Sequence, residues 1–540
     1  MKKRAMLSLA ALWFAGVNAS AQLPDWLWAR NGNMDGTGLV EQAATDAGGN
    51  VLVCGYFDNT ALMGAFPLTA LGGFDAFVGK LDPAGNWLWA TSFGSAGADD
   101  ALAIAVDGDG NAYLTGFHEG DIAIGDTTLT TEGGNDLFIA KIDGNGNWVW
   151  ALDAAGSGYS AGSDIVLGPN GSLYVGGSVD SDGEVFGMDT IPAGSLSGSL
   201  IMRLDVDGNW QWVHVLHHLG VTSMNGMAYS SGEGIVVVGW FNGTLYAGGD
   251  TLLSGTSEKA FIAVVDTLGV DQWSWRTSGS STTVANDVVV DAFGRIFLVG
   301  YALTGTAIVG DSAFVVNDAS DALVVRVSPN GFWDWSRRST GTGMEVIEDL
   351  AVLPDGQIVL VGTYRDGDLQ LGALTGTNTG GSDAFVAGIS TTGNWLLVKQ
   401  GSGIGDEYCH TVAISAVGNI YIGGSYAGDA TFGLDVLTST GAQDAYVAKL
   451  GVLGTAVQST NSVEFAPVLI QDGYGLQLHR LSDGPTHVEI VDAVGRVVYR
   501  LSGTAVGGLL SFGSPDLSTG AFLIRVQQGE ESATLKFVAR

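Results

Sequence analysis

Residues Asn86–Phe117 read NWLWATSFGSAGADDALAIAVDGDGNAYLTGF, and the fold follows from how this stretch parses and how often it returns. NWLWATSF alternates as a strand does, which predicts that Trp87 and Trp89 share one face. ALAIAVD and NAYLTGF are apolar runs around GDG, whose Gly and Asp accept positive φ, so they predict a hairpin. DLFIAKID, further on, is almost continuously apolar and then meets the next Trp segment across GNG, as expected of a strand covered on both faces. Between the second and third strands lies a longer, variable stretch, and nothing in the unit has the length or period of a helix.

The unit recurs seven times. Trp26, Trp87, Trp148, Trp210, Trp273, Trp333 and Trp395 are spaced by 60 to 63 residues, and six of them open a Trp-x-Trp pair. Gly55, Gly116, Gly177, Gly239, Gly300, Gly362 and Gly424 form a second series at 61 or 62. A period of this length built from four strands predicts an all-β fold, a seven-bladed β-propeller over residues 22–457. The first Trp segment precedes any other strand and the last strand set lacks a fourth, so the N-terminal strand is expected to complete the seventh blade and close the ring. An open solenoid is the competing architecture, and the missing end cap counts against it.

Composition limits the function classes. The chain has 540 residues, 83 Gly, 15 Trp and a net charge of −34, with 46% hydrophobic residues. The apolar content excludes a disordered chain, and the acidity makes nucleic acid and anionic membrane improbable partners. Lys2, Lys3 and Arg4, an apolar run from Ala5 to Val17, and Ala19-Ser20-Ala21 read as a signal peptide over residues 1–21. No later run is long and apolar enough to span a membrane, so the mature chain is expected to have no transmembrane segment.

DAFVGKLDPAGNWLWA, GGNDLFIAKIDGNGNWVWA, GDGNAYLTG and VGNIYIGGSY resemble the bacterial SBBP-type seven-bladed propeller repeat, across roughly residues 23–455. That resemblance implies a fold and no activity. After a linker at 458–466 the period stops, and residues 467–540 read as a small β-sandwich of short alternating segments. VEIVDAVGRVV, LSTGAFLIRV and the terminal LKFVAR make this tail similar to the C-terminal sorting domain of type IX secretion. The similarity implies the type IX machinery as a partner and a product secreted, or attached to the outer surface of a Gram-negative bacterium. Residues 462–540 carry 8 acidic and 6 basic residues, so the acidity belongs to the repeats.

The expected function is an exported binding or interaction module, with a glycan or surface protein as ligand; the alternatives are a carbohydrate-active hydrolase or lyase on the same scaffold, or a structural matrix protein. No serine-nucleophile elbow or zinc-protease motif is present. Ligands are expected at the loops joining each Trp strand to the next unit, where Asp99, Asp100, Asp287, Glu348, Asp349, Asp406 and Glu407 are the candidate binding groups. No cofactor is required, although the turns holding Asp107, Asp109, Asp205 and Asp207 resemble the start of a calcium loop. The bland reading of those turns is hairpin chemistry. The Trp pairs read as packing between sheets rather than sugar platforms. His214, His217 and His218 alternate unfavourably for one metal, and Cys54 and Cys409 are either a ring-closing disulfide or two buried thiols. Lys80, Lys141, Arg203, Arg326 and Lys449 share one repeat position and are expected to pair with carboxylates such as Asp46, Asp107 and Asp291.

Overall fold

Each repeat becomes one antiparallel sheet of four strands. The computed structural model describes residues 25–131, 133–154, 158–180, 185–187, 189–190 and 198–451, together with the strands of the C-terminal region; the signal-peptide and linker segments lie outside the described residues. In unit 1, Gly38–Thr45, Val51–Phe57, Asp75–Leu81 and Trp87–Phe93 pair in chain order, and unit 2 repeats this with Asp99–Val106, Ala112–His118, Asp136–Ile142 and Trp148–Asp153. Units 3 and 4 share one long strand, Trp210–Ser230, whose start closes one sheet and whose end opens the next. In the last unit, Glu407–Ile414, Ile420–Tyr426 and Asp444–Leu450 are completed by Trp26–Asn31 from the other end of the repeat region, as the sequence predicts. Among the described residues there is no α-helix.

The glycine series marks a backbone device. In every unit the first strand carries a β-bulge, at Glu41, Leu102, Ser163, Asn225, Asn286, Glu348 and His410, and the residue before it pairs with the series glycine. A Cβ on that glycine would lie 1.9–2.2 Å from a carbonyl oxygen of the first strand, for example 1.9 Å from Asp100 O at Gly116. Only glycine permits the approach.

A second bulge splits five of the six Trp pairs, while Trp273 and Trp275 of unit 4 stay in regular register opposite Val264 and Ile262. Leu88 is the extra residue in unit 1, so Trp87 and Trp89 face the neighbouring partners Leu81 and Lys80 and lie on opposite sides of the sheet. This overturns the expected shared face, because a bulge breaks the period of two. Trp87 packs in the cluster between units 7 and 1, and Trp89 in the cluster between units 1 and 2. Outside unit 4 the first Trp of each pair sits on a positive-φ glycine of its own unit, such as Gly64 under Trp87 and Gly125 under Trp148, whereas the Trp273 ring packs on Gly331 of the next unit. That glycine turns a short hairpin inside the variable stretch, Thr60–Met63 with Phe66–Thr69 in unit 1. The second Trp reaches the next unit: Nε1 of Trp28, Trp89, Trp150, Trp212 and Trp335 donates to the carbonyls of Pro83, Gly144, Val206, Thr267 and Thr391 at 3.1–3.2 Å.

The five shared-position cations cap those same carbonyls, with Lys449, Lys80, Lys141, Arg203 and Arg326 donating at 2.6–3.3 Å. The expected carboxylate pairing holds for Lys80 with Asp46 at 2.9 Å, and Arg326 takes Asp334 instead. Asp291 pairs with Arg295, and Asp107 accepts from Asn111 and Tyr113. Lys141, Arg203 and Lys449 lie over Tyr rings, whose faces favour a cation. Seven apolar clusters fill the spaces between consecutive units, including the one joining the last unit to the first. Cys54 and Cys409 are buried free thiols in separate clusters, not a disulfide.

Residues 455–540 form a separate compact unit. Its described strands make a three-stranded sheet (Val468–Asp472, Gly475–His479, Leu509–Gly513) and a four-stranded one ordered Val497–Ala505, Gly484–Val491, Gly520–Gln528, Glu531–Ala539.

Two outcomes follow for stability. Gly116→Ala is expected to lower stability by about 1–3 kcal/mol through overpacking, read by urea melting. Lys80→Met, which strands a buried Asp46, is expected to cost about 3–5 kcal/mol, whereas Lys141→Met costs about 1 kcal/mol. Equal losses in the two lysine variants would contradict this division of roles.

Candidate functional site

A bulge adds a residue and re-aims its side chain, and here seven bulges aim into one cavity. Glu41, Leu102, Ser163, Asn225, Asn286, Glu348 and His410, one from each unit, line a cavity of about 270 Å³ together with Gln42, Asp164, Asp287 and Asp349 from the following position. No Lys or Arg lines it.

The residue after the bulge ties each unit to the next. Gln42 Oε1 accepts from Ile104 N at 2.6 Å, Asp164 Oδ2 from Met227 N at 2.6 Å, Asp349 Oδ2 from Val412 N at 2.7 Å, and Thr411 Oγ1 from Ala43 N at 3.0 Å. Asp287 makes the same link to Leu350 N at 3.4 Å. Units 2 and 4 have Ala103 and Gly226 here. Gln42 Nε2 reaches past Ala103 to Asp164 Oδ1 at 3.4 Å, and a Cβ on Gly226 would meet Asp287 Oδ1 at 2.6 Å. Small residues thus leave room for their neighbours' carboxylates. Asn286 Nδ2 fixes Glu348 by donating to its Oε2 at 2.9 Å.

Carboxylates gathered away from bulk water resist ionisation. Burial, then Glu348, pushes Glu41 up to about 7, and burial, then Asp349, pushes Glu348 up to about 7. Asp164 rises to about 6 by burial, against the opposing N–H groups of Ile165 and Met227. Asp287 is raised well above the usual range by burial and by Asp349 beside it. Burial holds His410 down to about 4, so its ring is neutral; it stacks on Tyr408. The site is therefore a proton-buffered, oxygen-rich cup that becomes more anionic as pH rises from 6 to 8.

Of the candidates read from sequence, Asp287, Glu348 and Asp349 come together in this cavity. Asp100 is buried and raised by burial and by the nearby Glu41. Asp99 accepts from Ser95 N, Ser95 Oγ and Glu119 N, Asp406 Oδ1 from Ser382 N, and Glu407 abuts Asp383. All but Asp406 lie in strands, not in the connecting loops where they were expected. Asp107 and Asp205 each spend Oδ1 on the N–H groups two and four residues on, including those of Asp109 and Asp207, which is hairpin-turn chemistry. His214 bonds Asp271, and His218 the carbonyl of Gly220. Among the described residues, no three His, Cys, Asp or Glu side chains form a metal-binding group.

Glu41, Asp164 and His410 were missed from sequence. The signal was present: each bulge residue lies 14 positions before its series glycine. Reading that column across the seven units finds the lining.

No family model matches the chain. A WD repeat-containing protein of Acanthamoeba polyphaga mimivirus, itself uncharacterised, is 23% identical over 435 residues, covering 64% of this chain and 31% of its own length. The sheets and this relative agree. The chain is a repeat protein with a β-propeller-type fold. Regulatory protein FlaEY of Caulobacter vibrioides is 26% identical over 378 residues, covering 64% of this chain and 37% of its own. The propeller chain spans about a third of the length of these curated relatives. Among solved structures, puromycin hydrolase is similar at TM-score 0.40 and 11% identity, covering 87% of this chain and 61% of that one. Synechocystis apocarotenoid oxygenase is similar at 0.33 and 9%, covering 71% and 94%.

The raised carboxyls fix the sign of a pH effect. Glu41 and Glu348 bind protons more tightly folded than at their ordinary value of 4.5. Their contribution to stability is full below about pH 4.5 and is lost as pH rises through about 7. Urea melts from pH 5 to 8 should show this decline, and Glu41→Gln with Glu348→Gln should flatten it; an unchanged slope in the double variant counts against the assignment.

Proposed function

We propose that this protein is an exported seven-bladed β-propeller that acts outside the cell as a binding module, its central cavity accepting a cationic group, an amine or guanidinium, of a glycan or surface protein. The observation that carries the reading is the composition of the cavity: one bulge side chain per unit, five carboxylates and no Lys or Arg. An amine entering there replaces protons on Glu41 and Glu348 and gains charge-assisted hydrogen bonds. Export rests on the signal-like residues 1–21, and delivery by type IX secretion on the sorting-domain resemblance of residues 467–540, whose two sheets suit a small sandwich.

One observation favours a second reading. Burial holds the proton on Glu41 and Glu348 up to about pH 7, and a carboxyl group kept protonated is what glycoside hydrolysis uses as its general acid. Release of reducing ends from a bound glycan, abolished in Glu348→Gln, would establish the hydrolase over the binding module.

The test is binding of the purified chain to arrays of glycans and matrix polymers at pH 6 and pH 8, in calcium and in chelator. Saturable binding to amine-bearing ligands that tightens at least several-fold from pH 6 to 8, and is lost in the Glu41→Gln, Glu348→Gln double variant, is the expected result. Binding that ignores both pH and the double variant would sink the cavity as the site. Mass spectrometry of the exported protein should find a mature N-terminus at Gln22.

A further inference from the structure

A second set of buried charges lies at the seams between units, apart from the central cavity. In each seam the start of one unit's third strand meets the start of the next unit's first strand. In unit 4 the third strand begins with Lys259, which is 1% exposed and faces Thr283 of the next unit. Its ammonium is held by Ser257 Oγ, by Glu258 O at 3.1 Å and by Ser281 O at 2.7 Å. That seam has a cation built into it. The next seam brings two acids together, Asp321 and Glu345, and the chain supplies Arg338, which pairs with Asp321.

The seam between units 6 and 7 has the acids without the cation. Asp383 and Glu407 occupy the positions of Lys259 and Thr283, and Gln400 stands where Arg338 does. Both acids are fully buried. Asp383 accepts from Thr379 N at 2.7 Å and Thr379 Oγ1 at 2.9 Å. No hydroxyl, amide or cationic side chain donates to Glu407, whose polar neighbours are the Asp383 carboxyl and the Gly403 N–H, and among the described residues no basic side chain pairs with either acid. Gly403 keeps the space beside Glu407 open, since a Cβ there would fall 2.3 Å from Glu407 Oε1 and 2.1 Å from the carbonyl oxygen of Asp429. A buried carboxylate short of donors is costly unless a charge compensates it.

We propose that the seam between units 6 and 7 binds a divalent cation, calcium by its all-oxygen surroundings, through the Glu407 and Asp383 carboxylates, in the place that the Lys259 ammonium fills two seams earlier. Hard oxygen donors, a bidentate carboxylate and nearby main-chain carbonyls are what calcium takes, and two acids neutralise its charge. The cation would staple the unit that contains the N-terminal strand to the one before it.

The groups facing this pair are Asp406 on the preceding loop and the Tyr364 and Tyr446 hydroxyls of the flanking strands. In the metal-free protein, burial and then Asp383 push Glu407 up to about 8, so the test is run at pH 8.5, where protons compete least. Melting of the whole chain is compared in chelator and in calcium, for the wild type, Glu407→Gln, Asp383→Lys and, as a cavity control, Glu348→Gln. The expected result is a saturable rise of several degrees in wild type and in Glu348→Gln, and no rise in Glu407→Gln. Asp383→Lys, which copies unit 4, is expected to melt in chelator near the calcium-loaded wild type and to ignore calcium. Equilibrium dialysis should find one calcium fewer per chain in Glu407→Gln. No calcium shift in the wild type would overturn the site and show that the pair is satisfied by a shared proton. An undiminished shift in both seam variants would also overturn it, and loss of the shift in Glu348→Gln alone would move the calcium to the central cavity.

Discussion

Everything in the repeat region depends on the close approach of the series glycine to a carbonyl oxygen across the first hairpin of each unit. A side chain there would sit about 2 Å from that oxygen. The glycine allows the bulge, the bulge turns one extra side chain out of the sheet, and the next residue is left in register to grip the following unit. One backbone constraint, applied seven times, therefore builds both the cavity lining and the ties around it. The cavity chemistry can vary freely because the backbone, not the side chain, fixes the geometry.

The outer part of each unit works by division of labour. In five units a second bulge parts the two Trp rings, one for its own unit's hairpin and one for the neighbour's turn. Five of the seven seams add a Lys or Arg to the carbonyl that the second Trp already binds. Val264 and Gly388 take the cation's place in the other two. One of these two seams keeps an indole on the turn, Trp273 over Gly331 with its Nε1 on Glu233, and the other has Leu397 instead. Aromatic faces under the cations explain why few carboxylates are needed for them in so acidic a chain.

The acids that matter are elsewhere, withdrawn from water at the cavity and at the seams. Withdrawal raises their proton affinity, which makes them a reservoir of unmet charge at neutral pH. Where the chain has its own cation, as at Lys259 and Arg338, the seam is complete. Where it has none, the carboxylates are the chemistry left available for a ligand. Binding and stability are in this way drawn from the same buried groups.

By itself the sequence determined the period, the four-strand unit, the closing role of Trp26–Asn31 and three of the cavity acids, Asp287, Glu348 and Asp349. Those features are local or repeated, so alternation, turn residues and spacing expose them. Tertiary structure decided the rest. A sheet bulge reversed the facing of Trp89, because one inserted residue shifts register without leaving a composition signal, and strand pairing reaches further than alternation suggests, over Asp100, Asp287, Glu348 and Asp349. The partners of Lys141 and Glu407 lie about 65 and 24 residues away in neighbouring units, respectively Val206 and Asp383. Which charges end up buried without compensation is a property of the packed units, since burial is set by what surrounds a side chain rather than by what precedes it.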